Sequence, residues 1–245
     1  MTTPSPVPTW AMVLAAGRGL RLRPHSDSVP KCMSLVDGRP VLEHTIAHLV
    51  RHGVEDVVVN LHHLPEPVVA HFGDGSRFDV RIHWSHEQTL LGTAGGVAYA
   101  RRHLQEPFLV WYGDNLSDLR LDALAGLHVE RGALATIALH RRDDVSSSGI
   151  VGVDETGQVR RFLEKPATHD VFSSWVNAGI YLLEPSVLDE VPEGVEWDFG
   201  RQVFPALLAR EATVMAYRMG EDEHLRWIDR PEDLARVRAG ERASG

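Results

Sequence analysis

The sequence predicts an α/β fold built on a mixed, mostly parallel sheet. Three observations carry that expectation. Short apolar runs such as Ala11 to Ala16 and Phe108 to Tyr112 read as strands buried on both faces. Stretches with helical patterning separate these runs, which is the signature of parallel βαβ units. The 245 residues suffice for one large domain or two small ones, and an apolar content of 43% suits a full core.

Composition narrows the functional classes. Lys plus Arg number 25 against 34 Asp plus Glu, a net charge of −9, which argues against a nucleic-acid partner. Any working cations must therefore be local. The single cysteine, Cys32, excludes an internal disulfide framework and a cysteine-rich zinc site, and it fits a reducing, cytoplasmic setting. Residues 1–9 are Pro-rich, lack the charged and apolar regions of a signal peptide, and are expected to form a disordered tail before a single domain over 10–243. No run approaches the roughly eighteen apolar residues of a membrane span, so no membrane partner is expected.

The first strand, Ala11 to Ala16, ends at Gly17-Arg18-Gly19, and Arg21, Arg23 and Lys31 follow closely. Glycine lets the backbone turn sharply and approach a ligand. Backbone N–H groups at a strand end can cradle an anion that side-chain cations neutralise, so this loop reads as a polyphosphate site. A dinucleotide fingerprint would need a third glycine near Leu22, and a P-loop would need Gly-Lys-Ser/Thr; neither is present. Pro40 to Gly53 reads as a helix with proline in its first turn, glycine past its end, and Leu42, Ile46, Leu49 and Val50 on its apolar face. Val57 to Val59 is the second strand, Pro67 to Phe72 a short helix, and Val80 to Trp84 the third strand. His62, His63, His83 and His86 lack ligand spacing on one element and are read as solvated or structural.

Leu91 to Gly96 is a second glycine-rich segment, opening a helix that runs to His103. It can pack its backbone against a flat ring or serve only helix–strand packing. Phe108 to Tyr112 is the fourth strand. Asp114 at its tip faces the crevice where parallel sheets bind ligands, as a carboxylate suited to Mg²⁺. Leu121 to Arg131 is a helix and Ala133 to His140 a strand. Residues 141–148 are polar and flexible, and Gly149 to Leu163 reads as a hairpin. Asp198 to Ala209 is a helix with Asp198 near its start, Val214 to Met219 a strand, and Pro231 to Gly240 a closing helix.

Gly17, Gly19, Arg21, Leu22, Pro24, Pro30 and Lys31 meet every fixed position of G-x-G-x-R-L-x-P followed by P-K. That is the signature of sugar-1-phosphate nucleotidyltransferases, which the chain resembles in six ordered blocks from Met12 to about Arg238. The Leu91-to-Gly95 block, with Glu87 and Gln88 upstream, resembles the nucleobase-holding segment of mannose-1-phosphate and heptose-1-phosphate guanylyltransferases. The resemblance implies a Rossmann-like three-layer α/β/α nucleotidyltransferase (GT-A-like) fold with a sugar-binding lobe at about 141–200. It implies transfer of a nucleoside monophosphate from an NTP to a sugar 1-phosphate, giving NDP-sugar and pyrophosphate. GTP is favoured over UTP, dTTP or CTP. Leu14, Ala15, Gly17, Gly19, Glu87, Gln88, Gly92 and Thr93 would then bind nucleotide, and Gly149, Glu164 and Asn177 sugar. Arg21, Lys31 and Lys165 would be the catalytic cations, and Cys32 a neighbour with no chemical role.

The implied cofactor is Mg²⁺ on Asp114 and a second carboxylate, where this sequence departs from the family's Asp-Ile-Gly-Thr-Pro-Glu-Asp run. Aligned without a gap on Pro231-Glu232-Asp233, the metal position falls on Trp227. A two-residue deletion moves it to Asp229, the preferred register, because an indole cannot bind a cation that demands oxygen. The family allows a homodimer, and the β-helix domain that many members add is not expected here. Two other classes remain: a catalytically silent relative that binds nucleotide sugar as a regulator, and a glycosyltransferase of related fold. The latter normally uses Asp-x-Asp, where this chain has Asp114-Asn115-Leu116.

Overall fold

The computed structural model describes residues 7–240. Its first strand, β1 (Trp10–Leu14), sets the layers by simple alternation, since successive side chains point to opposite faces. Ala11 and Val13 pack to one side with Val57, Val59, Leu42, Ile46 and Leu49. Met12 packs to the other with Val58, Val110, Ala94, Val97 and Phe204. A strand apolar at every position is thus used on both faces.

The remaining elements follow in order: a minor hairpin of β2 (Leu35–Val36) and β3 (Arg39–Pro40), then α1 (Val41–Arg51), β4 (Asp56–Leu61), α2 (Pro65–Phe72), β5 (Arg81–His86) and α3 (Gly92–Tyr99). Next come β6 (Phe108–Tyr112), β7 (Asn115–Ser117), α4 (Leu121–Arg131), β8 (Ala135–Arg141), β9 (Gly149–Val153), β10 (Val159–Glu164) and β11 (Trp175–Leu183). A π-helical turn (Phe199–Val203) leads into α5 (Phe204–Ala209), followed by β12 (Val214–Arg218), β13 (Leu225–Trp227) and α6 (Pro231–Arg238).

The sheet runs β5-β4-β1-β6-β11, with β8 and then β12 beyond β11, and the β9–β10 hairpin on the near side of β11. β1, β4, β5 and β6 are parallel, and β11 alone among the seven main strands is reversed. Apolar residues of α1, α2 and α4 cover one face, and those of α3 and α5 the other. This is the three-layer α/β/α arrangement expected. The chain steps outward from β1 to β4 and β5, then returns to β6 on the other flank of β1. The strand order therefore reverses between β1 and β6, where open α/β sheets form a ligand crevice.

Several expectations shift. Residues 1–6 of the expected tail lie outside the described residues. Val7, by contrast, is buried at 6% exposure, and the Thr9 carbonyl accepts from the Glu55 and Asp56 N–H groups, so residues 7–9 pack against the domain rather than forming part of a tail. The helix expected to reach His103 stops at Tyr99, and a separate 3₁₀ turn covers Arg101–His103. The helix expected from Asp198 starts as a π turn. The β7–β13 pair was not foreseen, because three-residue strands carry too short a pattern to read. Among the described residues no helix is long and apolar enough to cross a membrane.

Candidate active site

A cleft of about 630 Å³ lies between the loop after β1, the tip of β6, the β9–β10 hairpin, β11 and the β13–α6 junction. Of the residues singled out from the sequence, Arg21, Thr93, Asp114, Gly149, Glu164, Lys165, Asn177 and Asp229 line it. Leu14, Ala15, Gly17, Gly19, Lys31, Glu87, Gln88 and Gly92 are not among its lining residues.

At one end of the cleft, three elements bring together charges distant in sequence. Lys31 stands on a 3₁₀ turn, Lys31–Met33. Asp114 follows β6, whose exit is tied to β1 by a hydrogen bond from the Gly113 N–H to the Leu14 carbonyl at 2.9 Å. Asp229 follows β13, which pairs with β7 so that Trp227 opposes Asn115; the Ile228 N–H then donates to the Asp114 carbonyl at 3.1 Å. The Lys31 ammonium donates to Asp114 Oδ2 and to Asp229 Oδ1, and Arg21 Nη2 lies 2.9 Å from Asp229 Oδ2. Burial opposes the charge on Lys31, but the two carboxylates outweigh it and hold the ammonium above its ordinary range.

Two carboxylates converging on one cationic point form a donor set of hard oxygens that fits a divalent ion. Among the described residues no cluster of three or more His, Cys, Asp or Glu could hold a metal, so any ion here would complete its shell with phosphate oxygens and water. The structure brings Asp229 beside Asp114 and sends Trp227 elsewhere. The Trp227 ring meets His140 edge-on at 5.6 Å and carries the Arg142 guanidinium over its face at 4.8 Å. Cys32 is 3% exposed, and burial pushes its thiol up to about 12, in keeping with a residue that has no chemical part.

The opposite wall belongs to β9, β10 and β11. Glu164 ends β10 with its carboxylate in a slot between two glycines: a Cβ at Gly149 or at Gly200 would lie 2.6 Å from Glu164 Oε2. Burial first, and then the nearby Asp198 charge, raise the Glu164 carboxyl above its ordinary value. Lys165 adopts a left-handed backbone with φ 49°, and its N–H donates to the Ser148 carbonyl at 3.1 Å. Asn177 donates through Nδ2 to Tyr181 Oη at 2.7 Å and accepts the Gly179 N–H at 2.9 Å, which settles which way its amide faces.

The glycine-rich segment at the start of α3 holds the least expected contacts. A Cβ at Gly92 would lie 2.6 Å from the Trp197 carbonyl oxygen, and one at Gly95 2.5 Å from that of Val195. The Ala94 and Gly95 N–H groups donate to the Trp197 carbonyl. Thr93 Oγ1 donates to Asp198 Oδ2 at 3.0 Å and accepts the Phe199 N–H at 3.0 Å. Glu87 is buried, with Oε1 accepting from Asn60 Nδ2 at 2.6 Å and Oε2 from the Leu91 N–H at 3.0 Å. Asn60 in turn accepts the Ala15 N–H at 2.8 Å and so ties the start of the loop after β1 to the Glu87 side. Sequence reasoning missed Asn60, Tyr112, Tyr181 and Gly200. It placed Asp198 only at a helix start, although an acid ahead of a helix is a cap signal and could have marked it.

A model of the nucleotidyl transferase family matches residues 10–230. The UTP–glucose-1-phosphate uridylyltransferase of Synechocystis sp. is 37% identical over 233 residues, covering 89% of this chain and 59% of that protein. The mannose-1-phosphate guanylyltransferase of Mycobacterium tuberculosis is 37% identical over 227 residues, covering 92% and 62%. The chain thus spans about three-fifths of the length of these curated relatives. Among solved structures, HddC from Yersinia pseudotuberculosis complexed with GMP-PN aligns with a TM-score of 0.77 at 22% identity, over 94% of this chain and 98% of that one. A UDP-glucose pyrophosphorylase complexed with UDP-glucose aligns at 0.83 and 16% identity, over 94% and 97%. At these identities the structural likeness speaks to the fold.

Proposed function

The chain belongs to the nucleotidyl transferase family, and from that premise we propose that it transfers a nucleoside monophosphate from an NTP to a sugar 1-phosphate. The observation that carries this reading is the meeting of Arg21, Lys31, Asp114 and Asp229 at one end of a cleft whose other wall presents Glu164, Lys165 and Asn177. Two anionic substrates must be held end to end for the reaction, and the cleft offers cations at both positions.

A sugar-phosphate oxygen attacks the α-phosphorus in line, the bond to the bridging oxygen breaks, and pyrophosphate leaves with that electron pair. The protein contributes position and charge rather than a covalent nucleophile. Lys165 steers the sugar phosphate. Lys31 stands by the α-phosphate, and Arg21 meets the charge that grows on the leaving pyrophosphate. Mg²⁺, held by Asp114 and Asp229, would supply further neutralisation of the phosphate oxygens. Leu14, Ala15, Gly17, Gly19 and Gln88 flank the nucleotide, and residues of about 141–200 form the sugar lobe.

GTP is the first candidate, on the Leu91-to-Gly95 block and the likeness to mannose-1-phosphate guanylyltransferases. UTP is the second, because the uridylyltransferase relative is equally similar. A reducing compartment, the cytoplasm, suits a chain with one buried cysteine. The test is pyrophosphate release with GTP, UTP, dTTP and CTP, each against mannose, glucose and heptose 1-phosphates. GTP should give the fastest turnover. If no pair turns over while nucleotide sugars bind, the protein is a silent, regulatory relative.

A further inference from the structure

Asp198 lies at the end of a hydrogen-bond chain beneath the sugar side of the cleft. Its carboxylate accepts from the Thr93 hydroxyl at 3.0 Å. Tyr112 lines the cleft together with Thr93, its phenol beside that hydroxyl. The Tyr112 oxygen accepts from Tyr181 Oη at 3.2 Å, and the Tyr181 oxygen accepts from Asn177 Nδ2 at 2.7 Å. The donors Asn177, Tyr181 and Thr93 all point toward Asp198, the only full charge on this path, which favours that one sense of donation along it. The result at the cleft is a fixed Asn177 amide. One N–H is committed to Tyr181 and the oxygen to Gly179, which leaves the second N–H as a donor for the ligand.

The other Asp198 oxygen works on the neighbouring wall. Oδ1 accepts the Gly200 N–H at 2.9 Å and the Arg201 N–H at 3.3 Å, which starts the helical turn. Gly200 is one side of the slot around Glu164 Oε2. A single carboxylate therefore fixes a donor, Asn177, and an acceptor, Glu164, on the same face of the cleft. A sugar hydroxyl both donates and accepts, and matches such a pair.

We propose that Asp198 and Thr93 are positioning residues for the sugar phosphate: acting through Tyr112 and Tyr181 on Asn177, and through Gly200 on Glu164, they set the sugar subsite and not the nucleobase subsite. This rests on the reading of the cleft as a sugar 1-phosphate site. It gives Thr93, the residue the glycine-rich block would assign to the base, a different task.

The test uses the full chain with Thr93→Val, which removes the hydroxyl at constant shape, Thr93→Ser, which restores it, and Tyr181→Phe, which cuts the chain midway and keeps the buried ring. KM and, by calorimetry, Kd are measured for mannose 1-phosphate and GTP, and again for glucose 1-phosphate and UTP. Thr93→Val and Tyr181→Phe should each weaken the sugar phosphate by roughly tenfold, the scale of one hydrogen bond in a charged chain. The NTP should stay within about twofold, Thr93→Ser should be near wild type, and the double variant should be no worse than the poorer single one. A weakened NTP with an unchanged sugar phosphate would return Thr93 to the nucleobase and overturn the proposal. So would unchanged binding of both, or an equal loss of both that Thr93→Ser does not rescue. Binding without turnover in the wild type would defeat only the catalytic reading, since the calorimetric split remains measurable. A wild type that binds no sugar phosphate would defeat both.

Discussion

Removing the Arg21 guanidinium should cost rate and little else. Its side chain is 55% exposed, and its ion pair with Asp229 is of the surface kind that contributes little to stability. Arg21→Ala should lower kcat/KM by about a hundredfold, the usual scale for one donor aimed at developing charge. The thermal midpoint should be nearly unchanged; a near-wild-type kcat/KM would take Arg21 out of the site. Asp229 makes a sharper case, because local sequence puts Trp227 and Asp229 in competition for one role. The two carboxylates share Lys31, so Asp229→Asn should impair Mg²⁺-dependent turnover nearly as much as Asp114→Asn. Wild-type rates and metal dependence in Asp229→Asn would leave it a structural partner of Lys31. The preference for Asp229 over Trp227 rests on residue chemistry alone, since only oxygen suits the ion. Its contact with Lys31 was not, because the two stand 198 positions apart.

Two glycines in helices make opposite forecasts from the same substitution. In an isolated helix Gly→Ala stabilises by about 1 kcal/mol, because glycine loses more backbone entropy on folding. Gly126 in α4 has open space around the site of a Cβ, so Gly126→Ala should show that gain. Gly95 in α3 faces the Val195 carbonyl oxygen, which a Cβ would approach to 2.5 Å, so Gly95→Ala should destabilise despite its better propensity. Urea unfolding of both variants checks the sign, and stabilisation by Gly95→Ala would mean that α3 and the 195–197 segment can part freely. The composition of Leu91 to Gly96 announced a helix start and a close approach. What approaches is the Trp197 backbone, a partner found only when α3 and the segment before α5 are laid against each other.

Across the whole molecule, buried histidines tie stability to pH. His48 in α1 is 4% exposed, and its Nε2 bonds the Leu119 carbonyl at 2.9 Å. Burial first, with help from the neighbouring His52 charge, brings its pKa down from 6.5 to about 4. Between those values the unfolded chain takes up the proton and the folded chain resists it. The stability His48 permits is therefore full above pH 6.5 and lost as pH falls through 4, by up to about 3 kcal/mol. Burial also lowers His103, His128 and His140, which act with the same sign. Unfolding midpoints measured from pH 7.5 down to 4.5 should fall less steeply in His48→Gln than in the wild type. Equal slopes would show that His48 is not held neutral in the fold.

What the sequence determined by itself is local. Alternation and apolar runs gave β1, β4 and β6, turn chemistry gave α1 and its ending, and glycines with arginines marked the loop after β1. Each of these signals is complete within a dozen residues, because backbone propensity and strand or helix period act over that range. Only the tertiary structure decided that Thr93 serves Asp198, 105 positions away, and that Glu87 faces Asn60 rather than the open cleft. Hydrogen bonds and close contacts between distant segments depend on where the sheet order places them. The strand reversal between β1 and β6 is what brings Lys31 and the loop after β1, the Asp114 tip and the Asp229 corner to one point.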